Sequence, residues 1–179
     1  QHASDDVLKR MGRRTSKEEL IHIISRIREE IPDITLRTTL ITGFPGESKE
    51  QHEELMDFVD EMAFDRLGVF TYSAEDGTPA AQMPDQVEES VKEARRAELM
   101  ELQQEIAFDQ AEQMIGREVL VMIEGKVADE NAYVGRTYKD APNVDGLIFV
   151  NTDTELLSGD FAKVRVTGAC EYDLIGELM

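Results

Sequence analysis

The chain has a single cysteine, no tryptophan, and half as many basic as acidic side chains among its 179 residues. One thiol, at Cys170, excludes an internal disulfide and any metal site made only of cysteines, and it favours a reducing, cytoplasmic compartment. No apolar run is long enough to span a bilayer and no signal-like segment follows the first residue, so we expect no membrane partner. Because the chain begins with Gln1 rather than methionine, we expect a processed product or a fragment.

The shortage of basic residues leaves a formal net charge of −19 at pH 7. A chain this acidic repels nucleic-acid phosphates and attracts basic partners. For most of these carboxylates the simpler interpretation is a solvated surface that keeps the protein soluble. The hydrophobic content of 41% is sufficient for a folded core.

The first part of the chain alternates between helix and strand patterns. A helix is predicted over residues 15–31, because Ser16 and Glu19 form a capping-box pair and apolar residues recur at helical spacing. Pro32 ends this helix, since the residue before a proline is pushed out of the α region. A mostly apolar run over 34–42 then predicts a strand that is buried on both faces.

The same two elements follow a second time. Ser48 and Gln51 form another capping box, and the run at 67–72 predicts another strand. The apolar face of the helix between them comprises Leu55, Phe58, Val59 and Met62. An α-β-α-β order with short connections predicts a parallel sheet, and we expect its missing strands to precede Gln1. Residues 73–84 are predicted to form a loop.

The turn after the first predicted strand is the strongest candidate for a small-molecule site. In parallel α/β folds, ligands bind at the carboxyl ends of the strands. Residues 36–47 contain a β-branched run that ends in a Gly/Pro turn just before a capped helix. Gly43 and Gly46 lack a Cβ, so the backbone there can approach a ligand or adopt a positive φ.

A long charged helix is predicted from residue 86 to about 112. Its apolar positions are Val87, Val91, Leu99, Leu102 and Ile106. We interpret it as a bridge between two units, whereas a partner-binding coiled coil is less favoured because the stripe is not a strict heptad.

After residue 115 the pattern changes to short strands separated by turn residues. The predicted strands are 118–124, 133–138, 146–150, 161–167 and 172–178. Five short strands within 65 residues indicate a small closed or nearly closed antiparallel β-barrel.

These motifs, taken in order, resemble the radical S-adenosylmethionine methylthiotransferases. Residues 1–15 resemble the segment after the fourth barrel strand of that family, and 43–47 resembles the turn after its fifth. Residues 72–80 resemble the loop after the sixth strand, and 115–179 is similar to the TRAM domain. The resemblance implies an α/β fold, with the C-terminal part of a TIM-like parallel barrel followed by an OB-like β-barrel. The expected domains are 1–85, a bridging helix at 86–114, and the TRAM barrel at 115–179.

Three details favour one branch of that family. The pair Gln1-His2, the run 73–78 and the run 135–146 resemble enzymes that modify a ribosomal protein. The implied reaction is β-methylthiolation of an aspartate on small-subunit ribosomal protein twelve. The alternatives are a tRNA adenosine methylthiotransferase and a non-catalytic adaptor that binds protein or RNA.

The resemblance also implies the cofactors. The family uses S-adenosylmethionine and two 4Fe-4S clusters, and each cluster requires cysteine ligands that this chain does not contain. We therefore expect the ligands outside this chain, no catalytic or metal-binding residue within it, and no activity or cluster binding by the isolated polypeptide.

The resemblance assigns the cofactor wall to nine residues. Ile41, Gly43 and Gly46 would pack against the nucleoside, while Phe70, Thr71 and Tyr72 would line its adenine side. Gln1 and Ser4 would make polar contacts to the ribose and methionine parts. For Phe70 and Tyr72 the alternative is an ordinary place in the barrel core, and for Phe70 that alternative is favoured. Arg37 is predicted either to enter the barrel mouth or to lie at the surface.

The histidines and a basic cluster are less informative. His22 and His52 are predicted on helix surfaces, where a histidine is usually solvated, and His2 is as consistent with a functional as with a structural role. The basic cluster comprises Lys9, Arg10, Arg13 and Arg14. It could hold substrate or pair with Glu47, although balancing helix-end charge is the favoured interpretation.

Charge supports the ribosomal-protein branch. From residue 115 onward, six basic residues stand against twelve acidic ones. A net charge of −6 is unfavourable for gripping tRNA phosphates, whereas it attracts a basic protein. We therefore expect the acidic TRAM barrel to dock a basic ribosomal protein.

Overall fold

The computed structural model describes residues 1–179, which form two compact units, Gln1–Ile106 and Ala107–Met179. The first contains helices α1 (Asp5–Arg10), α2 (Lys17–Glu30) and α3 (Lys49–Met62), strands β1 (Arg37–Thr42) and β2 (Arg66–Thr71), and a short 3-10 turn (Ala80–Gln82). Helix α4 (Glu89–Glu112) begins in the first unit and ends in the second. The second unit contains β3 (Glu118–Lys126), β4 (Ala132–Arg136), β5 (Ile148–Asn151), β6 (Phe161–Cys170) and β7 (Asp173–Leu178).

The predicted α-β-α-β order is confirmed, with β1 and β2 paired in parallel. Register runs from Arg37 opposite Arg66 to Thr42 opposite Thr71, so both strands end at the same level. Strand β1 begins later than predicted because the Leu36 amide donates to the Asp65 carboxylate at 2.8 Å instead of entering the sheet.

Both predicted capping boxes are present at the start of α2 and α3. In α3 the whole predicted apolar face is buried in the core of the first unit. The periodic pattern in α2 overstates its burial, since Ile31 is 53% exposed and the helix contains no fully buried residue.

Helix α1 was not predicted from the sequence. It has only six residues, with Asp5 and Asp6 in its first turn and Lys9 and Arg10 in its last, an order that complements the helix dipole. Its buried Val7 packs with Phe44 and Tyr72 and so contributes to the strand-end region described below.

Helix α4 confirms the predicted long helix, although it starts at Glu89. Leu99 and Ile106 are buried in the first unit's core, whereas the predicted stripe residue Val91 is exposed. Lys92 and Gln103, which no apolar pattern could select, are buried instead.

The second unit is a closed barrel with strand order β3-β4-β5-β7-β6. Four pairings are antiparallel, and β5 pairs with β7 in parallel, which corrects the expectation of a wholly antiparallel barrel. The reason is geometric, because a closed ring with an odd number of strands cannot alternate direction at every pairing. Val121, Ile123, Ile148, Val150 and Val164 are fully buried inside the barrel.

No helix is both long enough and apolar enough to cross a membrane. The single thiol, on Cys170, is free and exposed at the end of β6.

Two glycines in barrel strands provide a matched test of this packing. A Cβ added at Gly176 would overlap the Val164 side chain and lie 2.9 Å from the Arg165 carbonyl oxygen, whereas a Cβ at Gly125 meets nothing within 4 Å. We expect Gly176→Ala to lower the free energy of unfolding by about 1–3 kcal/mol, the usual cost of overpacking. Gly125→Ala should change it by less than about 0.5 kcal/mol. Urea unfolding measures both, and equal effects would contradict the barrel closure described here.

Candidate functional site

The carboxyl ends of β1 and β2 form a single edge. The Tyr72 amide donates to the Thr42 carbonyl at 2.9 Å, which continues the parallel pairing by one residue beyond β2. On the other side, the Ile41 amide donates to the Gln1 carbonyl at 2.8 Å. Three of the predicted site residues, Gln1, Ile41 and Tyr72, are therefore held together by backbone hydrogen bonds.

A cleft of about 640 Å³ opens at this edge. Its lining comprises Gln1, Arg10, Met11, Gly12, Ile41, Phe44, Phe70, Thr71, Tyr72, Ser73, Glu75, Thr78, Pro79, Ala80 and Met83. Five of the nine predicted cofactor residues belong to this set. A volume of this size is typical of small-molecule sites.

The remaining four predicted residues do not line the cleft. Ser4 is buried as the N-cap of α1, and Arg37 is exposed at the opposite, amino end of β1. Gly43 and Gly46 both have positive φ, at 74° and 76°. A Cβ at Gly43 would overlap the Lys92 side chain, and one at Gly46 would overlap the Arg10 guanidinium. Gly43 is thus explained by packing within the protein and by its positive φ. Gly46 is explained by its positive φ, since the flexible end of Arg10 can move aside.

Phe70 lies outside the core of the first unit, since its side chain is 63% exposed in this chain. The alternative of a place in the core of the parallel barrel stays a prediction. Strand β2 alternates, so that Leu67 and Val69 face the core and Phe70 faces the other side. An exposed aromatic ring at the edge of a cleft provides a stacking surface for a planar ligand.

Tyr72 is buried and lies edge-on to Phe44, with ring centroids 5.1 Å apart. Its hydroxyl has no hydrogen-bond partner within the protein. Buried hydroxyls are normally paired, so an unpaired one on a residue that lines a cleft is a candidate polar contact for a ligand. This orphaned group, beside the apolar Ile41 and Phe44, fits a ligand with an apolar, planar part and polar edges.

Glu47 is a buried carboxylate that organises the turn between β1 and α3. The amides of Gly43 and Phe44 donate to Oε2 at 2.6 and 3.1 Å, and the Thr42 hydroxyl donates to Oε1 at 3.2 Å. Arg95 of α4 donates to Oε1 at 3.0 Å. Four donors satisfy a charge that burial would otherwise make very unfavourable. The turn that places Phe44 in the cleft is therefore fixed by one side chain.

This arrangement corrects the suggestion that Glu47 pairs with the basic cluster, since its ion-pair partner is Arg95. Within the cluster, Arg10 donates to the Gln51 side chain at 3.2 Å and Arg13 donates to the Gln1 side chain at 3.0 Å. Sequence reasoning gave no role to Arg95, which is separated from Glu47 by 48 positions.

The two histidines nearest to Glu47 are both buried. His52 was predicted to be solvated but is 4% exposed, because it lies one turn before Leu55 on the same face of α3. Its Nε2 atom lies 2.7 Å from a carboxylate oxygen of Glu98. His2 is 1% exposed, and its Nδ1 atom accepts the Ser4 amide proton at 3.0 Å. His22 is exposed, as predicted.

His2 is neutral in the folded protein. Burial, aided by positive charges that include Arg10 and Arg95, lowers the pKa of His2 from 6.5 to about 3. The 3.7 Å between its Nε2 atom and Glu47 is therefore a close approach of a neutral ring, and it is too long for a hydrogen bond.

The sequence analysis missed the residues that α1 and the 73–84 loop bring to the cleft. Arg10, Met11 and Gly12 lie at the end of α1 and just after it, and this helix is too short to be predicted. Pro79 and Met83 belong to a segment without periodicity. The one available signal was the position of that loop directly after a strand end, where ligand-binding loops are expected.

The chain thus comprises a parallel α/β unit with a cleft at its strand ends and a five-stranded closed barrel. Residues 1–59 match the radical SAM superfamily, and residues 115–179 match the TRAM domain. The chain belongs to the radical S-adenosylmethionine methylthiotransferase family, in its RimO branch.

Several similar proteins are named ribosomal protein uS12 methylthiotransferase RimO. The protein of Lachnoclostridium phytofermentans is 64% identical over 176 residues, which is 98% of this chain and 40% of the relative. The proteins of Pelotomaculum thermopropionicum and Desulfitobacterium hafniense are 50% and 48% identical over 99% and 100% of this chain, again with 40% of the relative covered. The chain thus spans about 40% of the length of these curated relatives.

Replacing Glu47 tests its role in the turn. In Glu47→Gln a single amide oxygen replaces the two carboxylate oxygens that accept four hydrogen bonds. Arg95 also loses the negative charge with which it is paired. We expect the free energy of unfolding to fall by about 3 kcal/mol, as for other broken buried ion pairs. Glu61→Gln, at an exposed position in the last turn of α3, is the control and should stay within about 0.5 kcal/mol of the unchanged chain. A Glu47→Gln protein as stable as this control would contradict the account.

The buried neutral His2 makes stability depend on pH. The pKa of His2 is lower in the folded than in the unfolded state, so its contribution is complete above pH 6.5 and is lost as pH falls towards 3. We expect the free energy of unfolding to drop by about 1–2 kcal/mol between pH 7 and pH 5 because of this one group. His2→Asn, which keeps an acceptor for the Ser4 amide, should flatten that drop in urea titrations. Identical slopes for both proteins would show that His2 does not titrate as described.

Proposed function

We propose that this chain is part of an enzyme that adds a methylthio group to the β-carbon of an aspartate on ribosomal protein uS12, in the cytoplasm. The observation that carries the proposal is the strand-end cleft, which is lined both by the exposed Phe70 ring and by Tyr72, whose hydroxyl is unpaired. The 64% identity to a protein named as a uS12 methylthiotransferase supports the same assignment.

The cleft would hold the nucleoside of S-adenosylmethionine. Phe70 and Ile41 offer apolar surface to the adenine, and Thr71 and the Tyr72 hydroxyl offer polar contacts to its edge. The Gln1 side chain, which accepts a hydrogen bond from Arg13 and lines the cleft, would contact the ribose or methionine part. Ser4, Gly43 and Gly46 do not line the cleft, and Arg37 lies at the amino end of β1, too far from the cleft to take part.

S-adenosylmethionine, bound with iron–sulfur clusters, supplies the radical chemistry and the methyl group of this family. With one cysteine, this chain cannot provide the thiolates of even one 4Fe-4S cluster, so we propose two clusters whose ligands lie outside it. What these residues contribute is to bind the nucleoside, orient it, and exclude water from its apolar side.

The barrel unit would dock the protein substrate through its acidic surface. Asp129 and Glu130 in the β3–β4 loop lie next to Asp153, since the Asn131 side chain donates to Asp153 at 2.8 Å and the Thr152 amide donates to the Asn131 carbonyl. Together these three carboxylates outnumber the ammonium of Lys126, which ends β3 beside this loop, so the edge is net negative. Opposite charge steers the encounter with a basic ribosomal protein and opposes tRNA phosphates.

A substrate exchange tests the proposed reaction. The segment of the Lachnoclostridium phytofermentans relative that matches this chain is replaced by it, and the hybrid enzyme is reconstituted with iron and sulfide under anaerobic conditions. Given S-adenosylmethionine and a reductant, we expect methylthio-aspartate on uS12 by mass spectrometry and no methylthio-adenosine in tRNA. The unaltered relative is the positive control.

Modification of tRNA alone would replace the proposal by the tRNA branch. No modification by a hybrid that contains both clusters and is folded would favour the non-catalytic adaptor. In the same assay the KM for uS12 should rise with salt, because docking depends on opposite charges. A KM independent of salt would contradict the role given to the acidic edge.

A further inference from the structure

Lys92 of α4 reaches the end of β2 although it lies 20 positions further along the chain. Its side chain is buried, and its ammonium donates to the Tyr72 carbonyl at 2.9 Å and to Glu89 at 3.1 Å. The aliphatic stem packs against Gly43, where any Cβ would overlap it. The ammonium also lies 5.4 Å from the centre of the Tyr72 ring. One side chain therefore touches both strand-end segments.

Arg95 lies one turn later on the same face of α4. Its Nη1 atom donates to the Glu47 carboxylate at 3.0 Å and to the Glu47 carbonyl at 3.1 Å. Its side chain is only 11% exposed, so both hydrogen bonds are shielded from water. Arg95 thus holds the turn at Glu47, while Lys92 contacts the same turn at Gly43.

These contacts occur just beyond the point where the backbone hydrogen bonds between β1 and β2 end. The Tyr72 amide makes the last hydrogen bond between the two strand-end segments, to Thr42. Beyond it, the carbonyls of Tyr72 and Glu47 find donors on α4. The 5.1 Å spacing of the Phe44 and Tyr72 rings, which form part of the cleft wall, therefore depends on the helix as well as on the sheet.

We propose that Lys92 and Arg95 are positioning residues for the nucleoside cleft, acting through Tyr72 and through the Glu47 turn. Neither residue lines the cleft. The inference rests on the proposed function for the identity of the ligand, while the geometry it describes belongs to the chain itself. We call these two residues the α4 clamp.

The chain offers a matched control in Arg96. This residue also donates from α4 to a β2 carbonyl, that of Val69 at 3.2 Å, but Val69 faces the core and does not line the cleft. The variants are Lys92→Met, which keeps an unbranched stem, Arg95→Lys, which keeps the charge, and Arg96→Gln. All three residue types are compatible with an α-helix.

The first measurement needs no cofactor. Amide hydrogen exchange of the 179-residue chain reports on Tyr72, Gly43 and Phe44 individually. We expect Lys92→Met to speed exchange of the Tyr72 amide about tenfold, the usual effect of losing a hydrogen bond to a charged group. Arg95→Lys should speed exchange of the Gly43 and Phe44 amides by a similar factor. Arg96→Gln should leave the exchange of all three amides unchanged. Exchange that rises equally in all three variants would overturn the clamp, because it would show only a general loss of stability.

The second measurement uses the hybrid enzyme. Lys92→Met should raise the KM for S-adenosylmethionine about tenfold and change kcat less than twofold, since a misplaced wall weakens binding while the reacting atoms are held elsewhere. Arg95→Lys should raise the KM less, and Arg96→Gln should match the unaltered hybrid. A KM unchanged by Lys92→Met in a folded, active hybrid would overturn the proposal. Failure of the unaltered hybrid to turn over would instead count against the proposed function, and the exchange result would still decide the clamp.

Discussion

The strand-end cleft depends on a single buried charge, the carboxylate of Glu47. An isolated carboxylate in an apolar interior is highly unfavourable, and this one is tolerated because two backbone amides, a hydroxyl and a guanidinium donate to it. Those donors must converge for Glu47 to stay buried, so the backbone from Gly43 to Glu47 has little freedom, and Phe44 is held against Tyr72.

The same constraint explains why buried polar side chains surround the cleft. The His2 ring accepts a hydrogen bond from the Ser4 amide. Lys92 donates to the Tyr72 carbonyl, and Arg95 donates to the Glu47 carboxylate. Polar groups buried in this way favour one arrangement of the chain over its alternatives, because any shift leaves a donor or acceptor unpaired. Three buried atoms in this region have no hydrogen-bond partner: His2 Nε2, His52 Nδ1 and the Tyr72 hydroxyl. Of these three residues only Tyr72 lines the cleft.

Sequence patterns predicted most of the elements, because capping boxes, proline and apolar periodicity act over a few residues. They failed where the structure of a segment, or the burial of a side chain, depends on contacts with residues far away in the sequence. Helix α1 is too short for a periodic signal, and His52 was misplaced because a buried histidine has no apolar signature. Phe70 follows the alternation of β2, which a run as short as 67–72 did not make clear. The partnership of Glu47 with Arg95 spans 48 positions and is visible only in three dimensions.

The most direct test of the central claim is to locate the nucleoside on the chain. Titration of the isotopically labelled 179-residue chain with S-adenosylhomocysteine, followed by amide chemical shifts, reports every backbone position at once. The account predicts that shifts change at Ile41–Phe44 and at Phe70–Ser73 and leave the barrel strands unaffected. Changes confined to residues 107–179, or none at millimolar ligand with the first unit folded, would contradict it.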